Sequence, residues 1–275
     1  MREKLYTEAS SKHRNLDKMS TSELLKNMND EDKSVALAVE MSLGQLELLI
    51  DALIPKILKG GRLFYIGAGS SGRLGILDAS ECPPTYGVDE TLLTGIIAGG
   101  DAAIRKAVEN AEDDDQQGFA DLLNYNISDL DFVIGIAASG KTPYVLGALK
   151  ACKLNKIATG CVVCNPHTPI TEAADYPVEI IVGPEFVSGS TRMKAGTAQK
   201  MALNMISTAL MIKLGRVKDN KMIDMKISNA KLKRRGIQMI CQETGINTED
   251  ATKLLERFGS VRMALDAFSD SDGKK

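Results

Sequence analysis

The run from Leu63 to Tyr86 constrains the chain more than any other stretch. Leu63, Phe64, Tyr65 and Ile66 make a strand pattern, the turn Gly67-Ala68-Gly69-Ser70-Ser71-Gly72 follows, and a short helix leads into Asp78-Ala79-Ser80-Glu81-Cys82-Pro83-Pro84. A strand that passes through a small-residue turn into a helix leaves backbone N–H groups and hydroxyls free at the helix N-terminus, where an anion binds without a countercharge. The turn is therefore read as a phosphate cradle. The two prolines are expected to stop the helix just beyond Glu81, because neither donates to the helical ladder. A carboxyl at that end faces the negative pole of the helix, which disfavours ionisation and suits a proton donor.

The strand-turn-helix pattern repeats. A second strand is expected at Thr94–Ala98, then a Gly99-Gly100 turn and Asp101 as N-cap of a helix reaching about Ala111, which delivers Glu112 ahead of Asp113, Asp114 and Asp115. A third strand spans Phe132–Ala137 and runs through Ser139-Gly140-Lys141-Thr142 into a helix with Pro143 at its first position, where proline fits best. Strands at Ile157–Val163 and Val178–Val182 complete the set, with a loop at Asn165–Pro169 between them. This alternation predicts an α/β fold with a doubly wound, parallel five-stranded sheet covered on both faces. Ahead of it, residues 1–29 are polar and aperiodic and read as an N-terminal arm, followed by a helical stripe over Asp30–Lys59. A Met-rich helix covers Ser190–Leu214, and beyond Lys218 short helices at about 222–241, 248–258 and 261–268 predict a small all-helical C-terminal domain. The expected boundaries are thus 1–29, 30–218 and 219–275.

Charge and cysteine usage exclude several classes. With 34 basic and 36 acidic residues in 275, the net charge of −2 gives no footprint for nucleic acid or an anionic membrane. No run approaches the roughly 20 apolar residues that a membrane span needs, and the polar N-terminus carries no signal peptide, so a cytoplasmic protein is expected. Five cysteines, an odd number, argue for a reducing compartment. Cys161-Val162-Val163-Cys164 spells C-x-x-C on a strand, where positions three apart point to opposite faces, so neither a metal nor a redox role is assigned. His13 and His167 are the only histidines, too few for a histidine-rich metal site; His167 is read as a loop residue. No metal and no cofactor are expected.

Two glycine patterns mislead. Gly67 to Gly72 matches the dinucleotide fingerprint, but that site needs an acid at the end of the second strand, and here Asp89 and Glu90 precede the strand. Gly135-Ile136-Ala137-Ala138-Ser139-Gly140-Lys141-Thr142 matches the P-loop pattern, yet Gly135 lies inside an apolar strand and no later strand ends in the expected magnesium-holding aspartate. What remains is a pair of hydroxyl-rich loops, after strands one and three, at the edge of the sheet where open α/β folds bind ligands. Two such loops fit one phosphate monoester better than a dinucleotide.

Gly67–Gly75, Asp78–Thr85, Ile97–Asp101 and Ser190-Thr191-Arg192-Met193-Lys194-Ala195-Gly196-Thr197-Ala198 together resemble the signatures of N-acetylmuramic acid 6-phosphate etherases, over nearly the whole chain. The resemblance implies a sugar isomerase (SIS) domain of flavodoxin-like topology with a small helical C-terminal domain, working as a cytoplasmic homodimer without metal or redox cofactor. It implies a lyase of amino-sugar catabolism and peptidoglycan recycling that removes the D-lactyl ether of the sugar phosphate. In that scheme the ring opens, a base takes the C2 proton, lactate leaves from C3 and water adds. By motif, Glu81 matches the proton donor and Glu112 the second catalytic acid, here assigned as C2 base, with Arg192 or Lys194 offsetting the neighbouring aspartates. For the phosphate the resemblance points to Ser71, Ser139 and Thr142, with Ser70 and the adjacent backbone at Gly69, Gly72 and Gly140 in support, and Arg192 or Lys194 is expected to meet substrate or the partner subunit. Ala137 departs from the Ser that opens many SIS loops, so Ser188, Ser190 or Thr191 is needed to supply a hydroxyl. A non-catalytic sugar-phosphate-binding regulator, like the related glucokinase regulatory protein, is the alternative; it has no need of Glu81 and Glu112.

Overall fold

A computed structural model describes residues 5–272 and divides the chain into two compact units. The first takes residues up to Ala79 together with Thr91–Thr208; the second takes Ser80–Glu90 and the residues from Ala209 onward.

The first unit is built on β1 (Leu63–Gly67), β2 (Leu93–Ile97), β3 (Phe132–Ala137), β4 (Ala158–Val163) and β5 (Tyr176–Glu179), all parallel, in the order β2-β1-β3-β4-β5. The order reverses beside β1, and Gly67 pairs in register with Ile136, so the loops leaving β1 and β3 start side by side. β1 and β3 are buried at every position, as strands covered on both faces must be. One face packs Phe64, Ile66, Val133, Cys161 and Val163 on Tyr144, Val145, Ala148 and Leu149 of α6 (Pro143–Leu154). On this face Gly135 has a packing function: a Cβ there would lie 2.6 Å from Val145 Cγ1. Gly160 does the same on the other face, where a Cβ would meet Leu49 of α2 (Leu43–Leu58) at 2.7 Å.

Several local expectations are corrected. α1 (Thr21–Glu40) begins inside the supposed arm, because Ser20 and Glu23 form a reciprocal capping box. It breaks at Met41–Ser42 before α2, so the stripe over 30–59 is two helices. α3 (Gly69–Tyr86) runs through Pro83 and Pro84 rather than stopping ahead of them. A proline φ suits a helix; the cost is two ladder donors, and the end is held instead by Gly87 N–H on Pro83 O (3.0 Å) and Lys226 N–H on Pro84 O (3.1 Å). α4 (Ala102–Arg105) is a single turn, since the chain folds back to rest Val108 on Gly99 and passes Asn110 in the left-handed region. α5 (Gln117–Leu123) and α7 (Pro169–Ala173) are helices in stretches given no element from the sequence, and α8 (Lys194–Lys213) starts four residues later than the expected Ser190.

The second unit packs α9 (Ala230–Thr244), α10 (Thr248–Phe258) and α11 (Val261–Asp272) around Ile240, Ala251, Leu255, Val261 and Ala264. Gly245 and Gly259, both with positive φ, end the first two helices. Met222–Ile227 is not helical as expected; Asp224 in it is clamped by Arg262 through Nε and Nη2, each at 2.6 Å.

Candidate active site

The turn after β1 behaves as a cradle in part. Gly69 takes φ 52, with open space where a Cβ would stand, so the turn needs its conformational freedom. Gly72, expected at the ligand, is buried: a Cβ there would lie 2.6 Å from Ile97 Cγ1 and 2.8 Å from Gly67 O, so this glycine lets α3 approach the strands. The two serines differ. Ser70 lines an open cavity, whereas Ser71 is buried and donates its hydroxyl to Gln199 Oε1 at 2.9 Å. Gln199 is itself 1 % exposed and its Nε2 has no hydrogen-bond partner among the described residues.

The loop after β3 is fixed from behind. Asn165 Nδ2 donates to Ala138 O at 3.0 Å, and Ile170 N–H donates to Gly140 O at 3.2 Å. Gly140 has φ 70 and a Cβ there would be 2.3 Å from Thr168 Oγ1, so the loop admits no side chain at that point. Ser139 Oγ accepts from Lys141 N–H at 3.2 Å, and Thr142 opens α6 without a side-chain cap.

Two cavities flank this edge. One, of about 250 Å³, is lined by Ala68, Gly69, Arg73, Ala98, Val108 and Glu112 among others. Here the exposed Glu112 is brought beside the β1 turn, and the cation accompanying it is Arg73 rather than Arg192 or Lys194. Arg73 donates through Nε to Ile104 O (2.9 Å) and through Nη2 to Ala103 O (2.8 Å), tying α3 to the turn that precedes the Glu112 loop. The other cavity, of about 440 Å³, is lined by Ser70, Arg73, Leu74 and Leu77 of α3 with Arg192, Gly196, Thr197 and Lys200 of the α8 region. Glu81 is exposed in the latter half of α3, within the second unit.

Lys194 stands elsewhere than expected. Its side chain is 1 % exposed and its Nζ sits 2.5 Å from Glu31 Oε2 of α1, with His13 Nε2 3.3 Å from the other carboxylate oxygen. Partial burial alone would raise the Glu31 carboxyl, but the bond and charge of Lys194, with Lys12 and His13, hold it below the usual range. Lys194 thus anchors the N-terminal residues instead of facing ligand. Ser188 serves the same end: its Oγ accepts from Ser11 N–H at 2.8 Å. Thr7 and Asn165 exchange two further bonds, which is how the polar arm gains its order. Ser190 is half-buried and turns on Val187 O through its N–H. His167 sits in the loop before α7 with its N–H on Glu179 Oε1 at 2.7 Å.

Sequence reasoning does not mark Asp78 or Lys200 as functional residues. Burial pushes the Asp78 carboxyl up, although Ser207 and Tyr65 hydroxyls donate to it at 3.1 Å each. Burial also pushes the Cys152 and Cys161 thiols up to about 12, so both stay overwhelmingly protonated at neutral pH. Among the described residues no group of three or more His, Cys, Asp and Glu could hold a metal ion, and no helix is long and apolar enough to cross a membrane.

A parallel sheet of this order, with hydroxyl-bearing loops at adjacent strand ends, places the chain among doubly wound α/β proteins that bind ligands at the strand ends. Residues 45–153 match the family described as the glucokinase regulatory protein N-terminal SIS domain, and 104–209 match the SIS domain family. Solved structures agree on the fold. The chain is similar to a putative phosphosugar isomerase involved in capsule formation from Bacteroides fragilis (TM-score 0.56, 15% identity, 76% of this chain and 96% of that one). It is also similar to a phosphoheptose isomerase from Neisseria gonorrhoeae (TM-score 0.52, 15% identity, 70% and 98%). Sequence relatives are far nearer. The chain is 58% identical over 261 residues to an N-acetylmuramic acid 6-phosphate etherase of Christiangramia forsetii, covering 95% of each. It is 52% identical over 269 residues to one of Porphyromonas gingivalis, covering 98% of each. The chain belongs to the N-acetylmuramic acid 6-phosphate etherase family.

Proposed function

We propose that this enzyme cleaves the D-lactyl ether of N-acetylmuramic acid 6-phosphate, giving N-acetylglucosamine 6-phosphate and D-lactate, by elimination followed by hydration. The observation that carries the reading is Glu112 in one cavity with Gly69 of the β1 turn. A base beside a phosphate cradle is what abstraction of a sugar proton requires.

The phosphate is held by backbone N–H groups and hydroxyls of the β1 and β3 loops, with Ser70, Ser139 and Thr142 as the side chains that remain available. With the ring open, the C1 aldehyde acidifies the C2 proton, which passes to Glu112. The C3–O bond then breaks as the C2–C3 double bond forms. An alkoxide is a poor leaving group, so Glu81 hands its proton to the departing lactate oxygen. Water adds its hydroxyl to C3 and a proton returns to C2, so that the net consumption is one water. One glutamate must be protonated while the other is ionised, which calls for unlike surroundings. We place the enzyme in the cytoplasm as a homodimer; exposed Leu37, Met41, Leu43 and Leu48 at the α1–α2 corner support a self-association face.

The test is D-lactate release from N-acetylmuramic acid 6-phosphate with EDTA present and no nucleotide. Glu81→Gln and Glu112→Gln are each expected to lose roughly two to four powers of ten in kcat. Exchange of the C2 proton with solvent should disappear in Glu112→Gln and survive in Glu81→Gln. Heavy oxygen from water should enter the sugar at C3; its appearance in lactate instead would overturn the elimination route. Light scattering at twice 29.6 kDa checks the dimer.

A further inference from the structure

The cavity between α3 and α8 carries more positive charge than a phosphate site at the strand ends accounts for. Its lining holds Arg73, Arg192 and Lys200, the hydroxyl residues Ser70 and Thr197, two leucines, and no acid. We propose that this cavity is the subsite for the lactyl group, with Lys200 the cation that selects its carboxylate. The proposal deepens the reaction above and rests on it.

Three observations converge. First, the substrate carries two anions of different character. A phosphate presents only oxygens, whereas the lactyl group joins a carboxylate to a methyl, and this cavity sets Leu74 and Leu77 beside its cations. Apolar floor and positive rim match that second anion. Second, Arg73 lines this cavity and also the one that contains Glu112. The lactyl oxygen is on C3, next to the carbon that gives up its proton, so base and carboxylate subsite must adjoin. Arg73 spends Nε and Nη2 on the carbonyls of Ile104 and Ala103, and among the described residues Nη1 donates to no partner.

Third, Lys200 is held in place through a neutral amide, with the Asp78 carboxylate near enough to feel its charge but not bonded to it directly. In the amide orientation that satisfies both neighbours, Asn204 accepts from Lys200 Nζ at 2.6 Å and donates to Asp78 Oδ1 at 3.2 Å. Asp78 is fixed in turn by Tyr65 and Ser207. The ammonium is thus tethered by a neutral oxygen, with two N–H bonds left for an anion.

The experiment compares the lactyl substrate with its lactamide analogue, in which a neutral amide replaces the carboxylate at the same size. The ratio of their kcat/KM values measures selection for charge. Lys200→Met is expected to lower that ratio about ten- to a hundredfold, the range for a hydrogen bond to a charged group, and Lys200→Arg to restore most of it. Inhibition by D-lactate should weaken in Lys200→Met while inhibition by inorganic phosphate holds. A ratio unmoved by Lys200→Met, or a loss of phosphate inhibition instead of lactate inhibition, overturns the subsite and leaves the reaction standing. Absence of D-lactate from the unaltered protein overturns the reaction and the subsite with it. Because Lys200 is exposed, its variants fold, and a melting curve confirms this before kinetics.

Discussion

Removing either partner of the Glu31–Lys194 pair should damage the protein unequally. The Lys194 side chain is 1 % exposed and that of Glu31 12 %. Glu31→Ala strands an ammonium in a site with no other carboxylate on its Nζ among the described residues, and removing one partner of a buried pair costs about 3–5 kcal/mol. Lys194→Met leaves a carboxylate that still reaches His13 at 3.3 Å and Lys12 at 3.8 Å, so its loss should be about 1 kcal/mol, as for an exposed pair. The double variant should be close to Lys194→Met alone, giving a coupling of about 3–5 kcal/mol. At about 2–4 °C per kcal/mol for a unit of this size, the melting temperature falls by roughly 6–20 °C in Glu31→Ala. The fall is a third of that or less in Lys194→Met. The pH dependence has a definite sign. The Glu31 carboxyl is held below its ordinary value in the fold, so its stabilisation is complete above about pH 4.5 and is lost as pH falls through the lowered value. That acid limb should be shallower in Lys194→Met. Equal losses in the two single variants, or a tenfold rise in KM with an unchanged melting curve in Lys194→Met, would refute the anchor and return Lys194 to the ligand.

Gly140→Ala should lose sugar-phosphate binding and about 1–3 kcal/mol of stability, since φ 70 is strained for alanine and the methyl would meet buried Thr168; calorimetry with inorganic phosphate and a melting curve read both. A thiol titration with a chromogenic disulfide at pH 8 should find Cys152 and Cys161 silent in the native protein. With their pKa pushed up to about 12, only about one in ten thousand is thiolate at that pH, whereas all five thiols should react once the chain is unfolded.

The sheet was legible because its signal is local: β1 and β3 are uninterrupted apolar runs followed by Gly/Ser turns, and their order in sequence implies parallel pairing. Element ends were harder, for reasons that lie in long-range packing. Pro83 and Pro84 read as a stop, yet the helix end is held by Lys226, more than a hundred residues on. Asp101 read as the start of a long helix, but Val108 folding onto Gly99 outweighs the local preference for continuing it. The start of α1 was visible after all, in Ser20 with Glu23, and was obscured because the flanking stretch has no apolar period.

Of the site, what a turn can encode was readable and what two surfaces make together was not. Gly69, Ser70 and Gly140 stand where backbone conformation alone demands small residues, so a motif exposes them. Arg73 and Lys200 carry no such mark: one is a helix residue among several cations, the other lies far along the chain in a Met-rich run. They meet only because Gly72 lets α3 settle on the strands at a distance no larger residue allows, which turns the Ser70, Leu74 and Leu77 side of the helix toward α8. The same glycine that looked like a ligand contact therefore acts one step back, by setting how close α3 lies to the sheet. A Gly72→Ala change should then disturb charge selection at Lys200 as well as phosphate affinity, since both depend on where that helix lies.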